Sequence, residues 1–404
     1  MEFLIASRRS RPGDDPIFSL NAEAVRRAAA GEDVVNATIG ALLGDDGRLA
    51  IMPTVAKVLS SLPFEAVANY APIPGLSAYR QAVIDDLLGE YGVAEHATCV
   101  ATPGGTGALR LAIDDFLEPG QVALTSSYFW APYRTIAEES GRKLETFEMF
   151  APDGGFNVEE ADRKLGEHVE KQGRALFLLN TPCHNPTGYS LDANELDAIV
   201  AVIERHAARA PVTVVLDIAY GDFRPDALSR CIATACKLAG KALVLFAWSA
   251  SKAFALYGQR IGALVALVPD AEQRTRVTSA LTYSCRGLWS NCNAAGMAAV
   301  ARLLSEPDLA KNVRQERAEL VALLARRVEV WNALATAAHV RYPRYDGGFF
   351  TTVFSADPVL HSSRMRERGL FLVPTAGALR VAVCAVNEAQ IGRIVSGLAE
   401  VVAP

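Results

Sequence analysis

The chain has 404 residues, half of them hydrophobic and 21% charged, which is enough for two or three compact units or one large domain with a smaller one attached. Its 40 Lys plus Arg against 45 Asp plus Glu give a formal charge of −5 and an isoelectric point of about 5.8, arguing against nucleic acid or an anionic membrane as partner. No apolar run reaches the roughly 18 residues of a membrane span. The seven dispersed cysteines contain no C-x-x-C pair and read as free thiols in a cytoplasm, and six scattered histidines leave no metal site to expect.

The N-terminal MEFLIASRRSRPGDD has its apolar stretch before its arginines, unlike a secretory signal, and the first 35 residues read as an arm. Leu76, Tyr79, Val83, Leu87 and Tyr91 recur at three- and four-residue steps and form one face of a helix, with Asp85, Asp86 and Glu90 on other faces. A strand from Ala97, a glycine turn at Pro103-Gly-Gly-Thr-Gly and a helix from Ala108 follow. Further strands are expected at 175–179, 212–216, 242–247 and 261–268. Between about residues 75 and 268, helical segments thus alternate with short apolar runs, the pattern of an α/β unit with a mostly parallel sheet. Beyond about residue 300 a long Arg/Glu-rich helical stretch (308–333) leads into Gly347-Gly-Phe-Phe-Thr-Thr-Val and Leu379-Arg-Val-Ala-Val, which predict a separate, smaller α+β layer.

Four segments carry candidate chemistry. Gly104-Gly-Thr-Gly places backbone N–H groups and a hydroxyl where a strand meets a helix, an arrangement suited to phosphate; the plainer reading is a tight turn. Ser249-Ala-Ser-Lys252, with Arg260 eight residues on, puts a lysine among phosphate donors at the end of an apolar strand. A lysine in partly apolar surroundings is a neutral amine able to attack a carbonyl, so this segment suggests a phosphorylated aldehyde as ligand. Asp217, ending Val214-Val-Leu-Asp, either caps the next turn or pairs with a protonated pyridine nitrogen, and Tyr220 follows three residues later. Asn180-Thr-Pro-Cys-His-Asn185-Pro-Thr-Gly is dense in turn formers and offers the Asn185 amide at a strand end.

In their order and spacing these motifs resemble the fold-type I aminotransferases of class I that use pyridoxal 5'-phosphate (PLP), within the aspartate and aromatic amino acid group. The resemblance runs from about Asn36 to Arg380. It implies a large domain with a central, mostly parallel sheet plus a smaller α+β domain, divided as 1–45 (arm and part of the small domain), 46–298 and 299–404. It further implies that Lys252 bonds to the PLP aldehyde and shuttles a proton, and that Gly105, Thr106, Ser249, Ser251 and Arg260 hold the phosphate. Asp217 would face the ring nitrogen, Asn185 and Tyr220 the phenolic oxygen, and Trp130, next to Phe129, the ring face. Tyr70 would reach the phosphate of a neighbouring subunit, so a homodimer is implied. Arg380 would bind the substrate α-carboxylate with Gly40 beside it, and Arg286 the distal carboxylate of dicarboxylic substrates across the dimer.

The chain departs from the group's usual residues at Gly104, at Ala131-Pro132-Tyr133 after Trp130, and at Leu288, Trp289 and Cys292. The function implied is an exchange of the amino group between an aspartate, glutamate or aromatic amino acid and a 2-oxo acid such as 2-oxoglutarate. The same cofactor ligands also suit a β- or γ-eliminating lyase or a specialised biosynthetic transaminase. A nicotinamide-binding reading of the glycine turn lacks the third glycine and the acidic residue expected about 20 residues later.

Overall fold

Short apolar runs bounded by glycine, proline and charged residues pair into three sheets in the computed structural model, which describes residues 2–11, 13 and 16–402. The strands, in chain order, are β1 (Val35–Asn36), β2 (Ala97–Pro103), β3 (Val122–Ser126), β4 (Lys143–Phe147), β5 (Ala175–Asn180), β6 (Val212–Asp217), β7 (Leu243–Ser249), β8 (Ile261–Leu267), β9 (Phe350–Phe354), β10 (Leu370–Phe371), β11 (Val373–Thr375) and β12 (Ala378–Ala382).

The central sheet has seven strands in the order β2-β8-β7-β6-β5-β3-β4. Strands β3 to β7 pair in parallel, whereas β8 is antiparallel to both of its neighbours. A parallel return needs a crossover of a dozen or more residues, usually through a full helix. Only the short helix Ala250–Ala253 and one 3-10 turn separate β7 from β8, so the chain turns back instead. Every residue of β5, β6 and β8 is buried, as expected of strands covered on both faces. Alternate side chains sort to the two faces: Leu176, Leu178, Val215 and Leu264 pack with the Gly104–Phe116 helix, and Phe177, Leu179, Val214 and Val265 with Leu165, Ile199 and Ile232 on the other side.

The smaller layer is the antiparallel sheet β11-β12-β9, and β1 pairs in parallel with β10 beside it. This pairing ties the N-terminal segment, including the Pro16–Ala29 helix, to the C-terminal part of the chain. The helix Pro307–Ala337 joins the layers: Val313 packs in the core under the large sheet, and Leu324, Val328 and Trp331 pack with Phe349, Phe350 and Ile391 in the small one.

Expected elements recur with shifted ends. The helix expected around Tyr79 is Ser77–Leu88, with Tyr79, Val83 and Leu87 buried; Leu76 precedes it and Tyr91 falls in the 3-10 turn that follows it. The glycine turn is itself the first turn of a helix that begins at Gly104. Among the described residues no helix is long and apolar enough to cross a membrane.

Candidate active site

The carboxyl ends of β2, β5, β6 and β7 open on one cavity of about 200 Å³, the position at which open α/β sheets take their ligands. At the end of β7, the Ser249 hydroxyl accepts the Ser251 N–H at 3.3 Å and caps the short helix that presents Lys252. Burial pushes the Lys252 ammonium down to about 8; Asp217 opposes the shift and Arg260 adds to it.

Arg260, in the left-handed conformation (φ 53), donates from Nη1 to Ser251 Oγ at 3.2 Å and to the Tyr257 carbonyl at 3.0 Å. Its guanidinium lies against the start of the Gly104–Phe116 helix, where a Cβ on Gly104 would stand 2.4 Å from Nη2. The glycine is therefore required by this close approach as well as by its φ of +73. The first N–H groups of a helix have no intrahelical partner. Those of Gly105 and Thr106 and the hydroxyls of Ser249 and Ser251 stand on the same cavity wall as Arg260. Together they form an anion cradle beside the lysine.

Asp217 ends β6 and is buried. Its Oδ2 accepts the Tyr133 hydroxyl at 2.6 Å and its Oδ1 the Ala219 N–H at 3.2 Å. Burial raises its pKa, and the Tyr133 and Ala219 hydrogen bonds and the charge of Lys252 oppose that rise. Asn185 donates to the Tyr220 hydroxyl at 3.3 Å, and burial keeps that phenol protonated. The Asn185 Oδ1 is buried with no hydrogen-bond partner among the described residues.

Sequence reasoning did not single out Asn180, whose Oδ1 accepts the Asn185 N–H at 2.6 Å and whose amide donates to the Asp217 carbonyl at 2.7 Å. It is the register partner of Asp217 across β5 and β6, so it binds the Asn185 loop to the strand carrying the carboxylate. An amide ending a fully apolar run was the available signal. Tyr133 was noted only as a departure from the family pattern; its contact with Asp217 spans 84 positions and leaves no local trace.

A second cavity of about 230 Å³ adjoins the first, and Trp130 and Asn185 line both. Phe129 lines only the second, with Ile17, Tyr128 and Val373. Arg380, central in β12, is buried there; its Nη2 donates to the Thr38 carbonyl at 2.6 Å and its guanidinium lies 4.4 Å from the Phe350 ring centroid. Gly40 lines neither cavity but underlies Phe350, since a Cβ there would stand 2.4 Å from its Cζ. Tyr70 is 93% exposed, and Arg286, in the last turn of the Ala271–Leu288 helix, bonds Ser290 Oγ at 2.7 Å. Neither lines either of these two cavities.

Residues 32–398 match the family model described as aminotransferase class I and II. The chain belongs to that family. It is 32% identical to a tyrosine aminotransferase of Klebsiella pneumoniae, over 87% of this chain and 89% of that one. An aminotransferase from Anaerococcus prevotii superposes with a TM-score of 0.95 at 33% identity, covering 100% of both chains. An aromatic-amino-acid aminotransferase from Burkholderia pseudomallei, described as covalently bound to pyridoxal phosphate, superposes at 0.82 with 26% identity over 99% of this chain and 100% of that one. Like its family, this amino acid aminotransferase is PLP-dependent and has fold type I. The cavity fits the cofactor in three respects: the cradle that Gly104 keeps open suits a phosphate, Lys252 is a buried amine, and Asp217 is a buried carboxylate.

Proposed function

We propose that this aminotransferase moves the amino group of an aspartate, glutamate or aromatic L-amino acid to a 2-oxo acid such as 2-oxoglutarate by a ping-pong exchange, as a cytoplasmic homodimer. The observation that carries this reading is that Lys252 and Asp217 line one cavity, and that Trp130 and Asn185 line both it and the cavity of Arg380. Bound PLP supplies an electrophilic aldehyde and an electron-withdrawing ring. Gly105, Thr106, Ser249, Ser251 and Arg260 hold its phosphate, and Tyr70 of a second copy adds to that grip. Asp217, as a carboxylate, holds the proton on the ring nitrogen. Asn185 and Tyr220 donate to the phenolic oxygen, and Trp130 covers the ring.

Arg380 binds the substrate α-carboxylate with its planar fork, supported from below by Phe350 and Gly40. Lys252 Nζ would take and return the proton of the substrate α-carbon, a task suited to a group titrating near 8. The apolar lining at Ile17, Phe129 and Val373 receives an aromatic side chain, and Arg286 of the second copy receives a distal carboxylate. The exposed apolar residues Phe64, Val67, Tyr70 and Tyr283 support the dimer, since a partner covering them removes their contact with water.

The test is the visible spectrum of holoenzyme titrated with single amino acids in the absence of a 2-oxo acid. Bleaching of the cofactor band by aspartate, glutamate or an aromatic amino acid, with recovery on adding 2-oxoglutarate, is expected. A band that none of these donors bleaches would move the activity to a specialised donor, and release of ammonia with the keto acid would move it to a lyase.

A further inference from the structure

Tyr133 is the second residue of the Pro132–Glu139 helix and is 1% exposed. Its hydroxyl is 2.6 Å from Asp217 Oδ2. Its ring meets the Trp130 indole edge to face, with centroids 5.8 Å apart and an interplanar angle of 89°. One side chain therefore touches two residues of the cavity wall that stand on different elements: the carboxylate ending β6 and the indole preceding the helix.

This contact does more than fill space. Taking a carboxylate out of water favours its neutral form, and a neutral Asp217 would have no charge with which to hold a proton on a ring nitrogen. The Tyr133 hydroxyl is one of the groups that oppose this. Its direction is fixed, because burial and the adjacent carboxylate push the phenol's own pKa well up, so the hydroxyl keeps its proton and donates it to a carboxylate that can only accept. The donor is also uncharged. A cationic donor at the same place would neutralise the carboxylate; a phenol orients it and leaves its full negative charge for the group in front. With Ala219 N–H on Oδ1 and Tyr133 on Oδ2, each carboxylate oxygen has one donor and the plane of the group is set. The edge-to-face contact gives the indole a preferred tilt as well.

We propose that Tyr133 is a positioning residue of this aminotransferase, fixing with one side chain both the carboxylate that faces the cofactor ring nitrogen and the indole that covers the ring. The inference rests on the assignment of Asp217 and Trp130 given above.

The test is a double-mutant cycle of Tyr133→Phe and Asp217→Asn, read as PLP retention by equilibrium dialysis and, separately, as kcat and KM. Y133F keeps the ring and removes only the hydroxyl. It is expected to weaken PLP binding about tenfold, the size of one lost hydrogen bond to a charged group. It should lower kcat by at least as much while changing KM for the amino acid far less. In the D217N background the same substitution should leave PLP binding unchanged, because the charge it serves is gone. Tyr133→His, which retains a ring donor, should bind PLP more tightly than Y133F; should Y133F not fold, Tyr133→Leu, which also lacks the donor, takes its place in the cycle and should still lose less in the D217N background than in the wild type. Equal losses in both backgrounds, or unaltered retention in Y133F, would reduce Tyr133 to packing and overturn the proposal. Retention is measured without substrate, so a wild-type enzyme that no amino acid bleaches would sink the transamination reading independently of this one.

Discussion

Lys252 Nζ lies 5.2 Å from the centroid of the Tyr220 ring, with the Asp217 carboxylate as the opposing charge and Arg260 as a like one. An ammonium in this setting loses more solvation than its neighbours return, which brings its pKa down to about 8. Below that pH the lysine of the cofactor-free protein is protonated and cannot attack an aldehyde. Capture of PLP, followed by stopped-flow absorbance, should therefore quicken as pH rises through about 8 and level off above it. An inflection near the ordinary lysine value would contradict the burial argument. The linkage has the matching sign: between about 8 and the ordinary 10.5 the unfolded chain holds a proton that the folded one has lost, so this group adds stability as pH rises across that window. Asp217→Asn removes the opposing charge and should move the inflection lower.

Gly104 and Arg260 make a second test. An alanine at 104 would carry its Cβ to 2.4 Å from the guanidinium and sit at a φ of +73, which costs a non-glycine residue about 1 to 3 kcal/mol. Arg260 would have to leave its bond to Ser251. Gly104→Ala should therefore lower both the unfolding midpoint and PLP retention. Gly89→Ala is the control, since its Cβ would meet nothing within 4 Å and its φ of −58 suits any residue. Similar retention by the two variants would show that the guanidinium does not need its place.

The sequence made the cofactor side of the site legible because that side is built from strand ends. Asp217, Ser249 and Lys252 each follow an apolar run, and a buried strand ending in a polar group is a local pattern. The strands at 175, 212, 243 and 261 were readable for the same reason, being buried on both faces. The reversed direction of β8 was not, because direction follows from the room left after β7 rather than from composition. The edge strand β4 lacks that signal, since only Leu144 and Phe147 of its five residues are buried. Tyr133, Phe350 and Ile17 were invisible as site residues because each acts through contacts distant in sequence.

Arg380 tests the substrate side. Its charge and its shape are separable, because lysine keeps the first and loses the planar fork that a carboxylate meets with two parallel bonds. Arg380→Lys should raise KM for every amino acid and 2-oxo acid, by the order of tenfold to a hundredfold, about the worth of charged hydrogen bonds. The loss should not depend on the substrate side chain, since the α-carboxylate is common to all. A loss confined to dicarboxylates would place Arg380 at the distal end instead. Gly40→Ala, which pushes Phe350 from beneath the guanidinium, should reproduce part of the effect without altering any charge.

Arg286 sits at a helix end, bonded to Ser290, and lines neither of the two cavities described above. The second cavity is apolar at Ile17, Phe129 and Val373, with Arg380 committed to the α-carboxylate in the reading above. An aromatic side chain can enter that space with no further charge, whereas a distal carboxylate loses its water there and needs a cation supplied by a second copy. Arg286→Ala should then cut kcat/KM for aspartate and glutamate by about 2 to 5 kcal/mol, the cost of truncating one partner of a desolvated charge pair. Phenylalanine and tyrosine should change by a few-fold at most. The comparison is made on preparations of one oligomeric state, checked by sedimentation, because loss of the proposed dimer would lower every substrate together. Equal losses for aromatic and dicarboxylic donors in an intact dimer would take Arg286 out of the site and leave the distal carboxylate to be recognised by some other group.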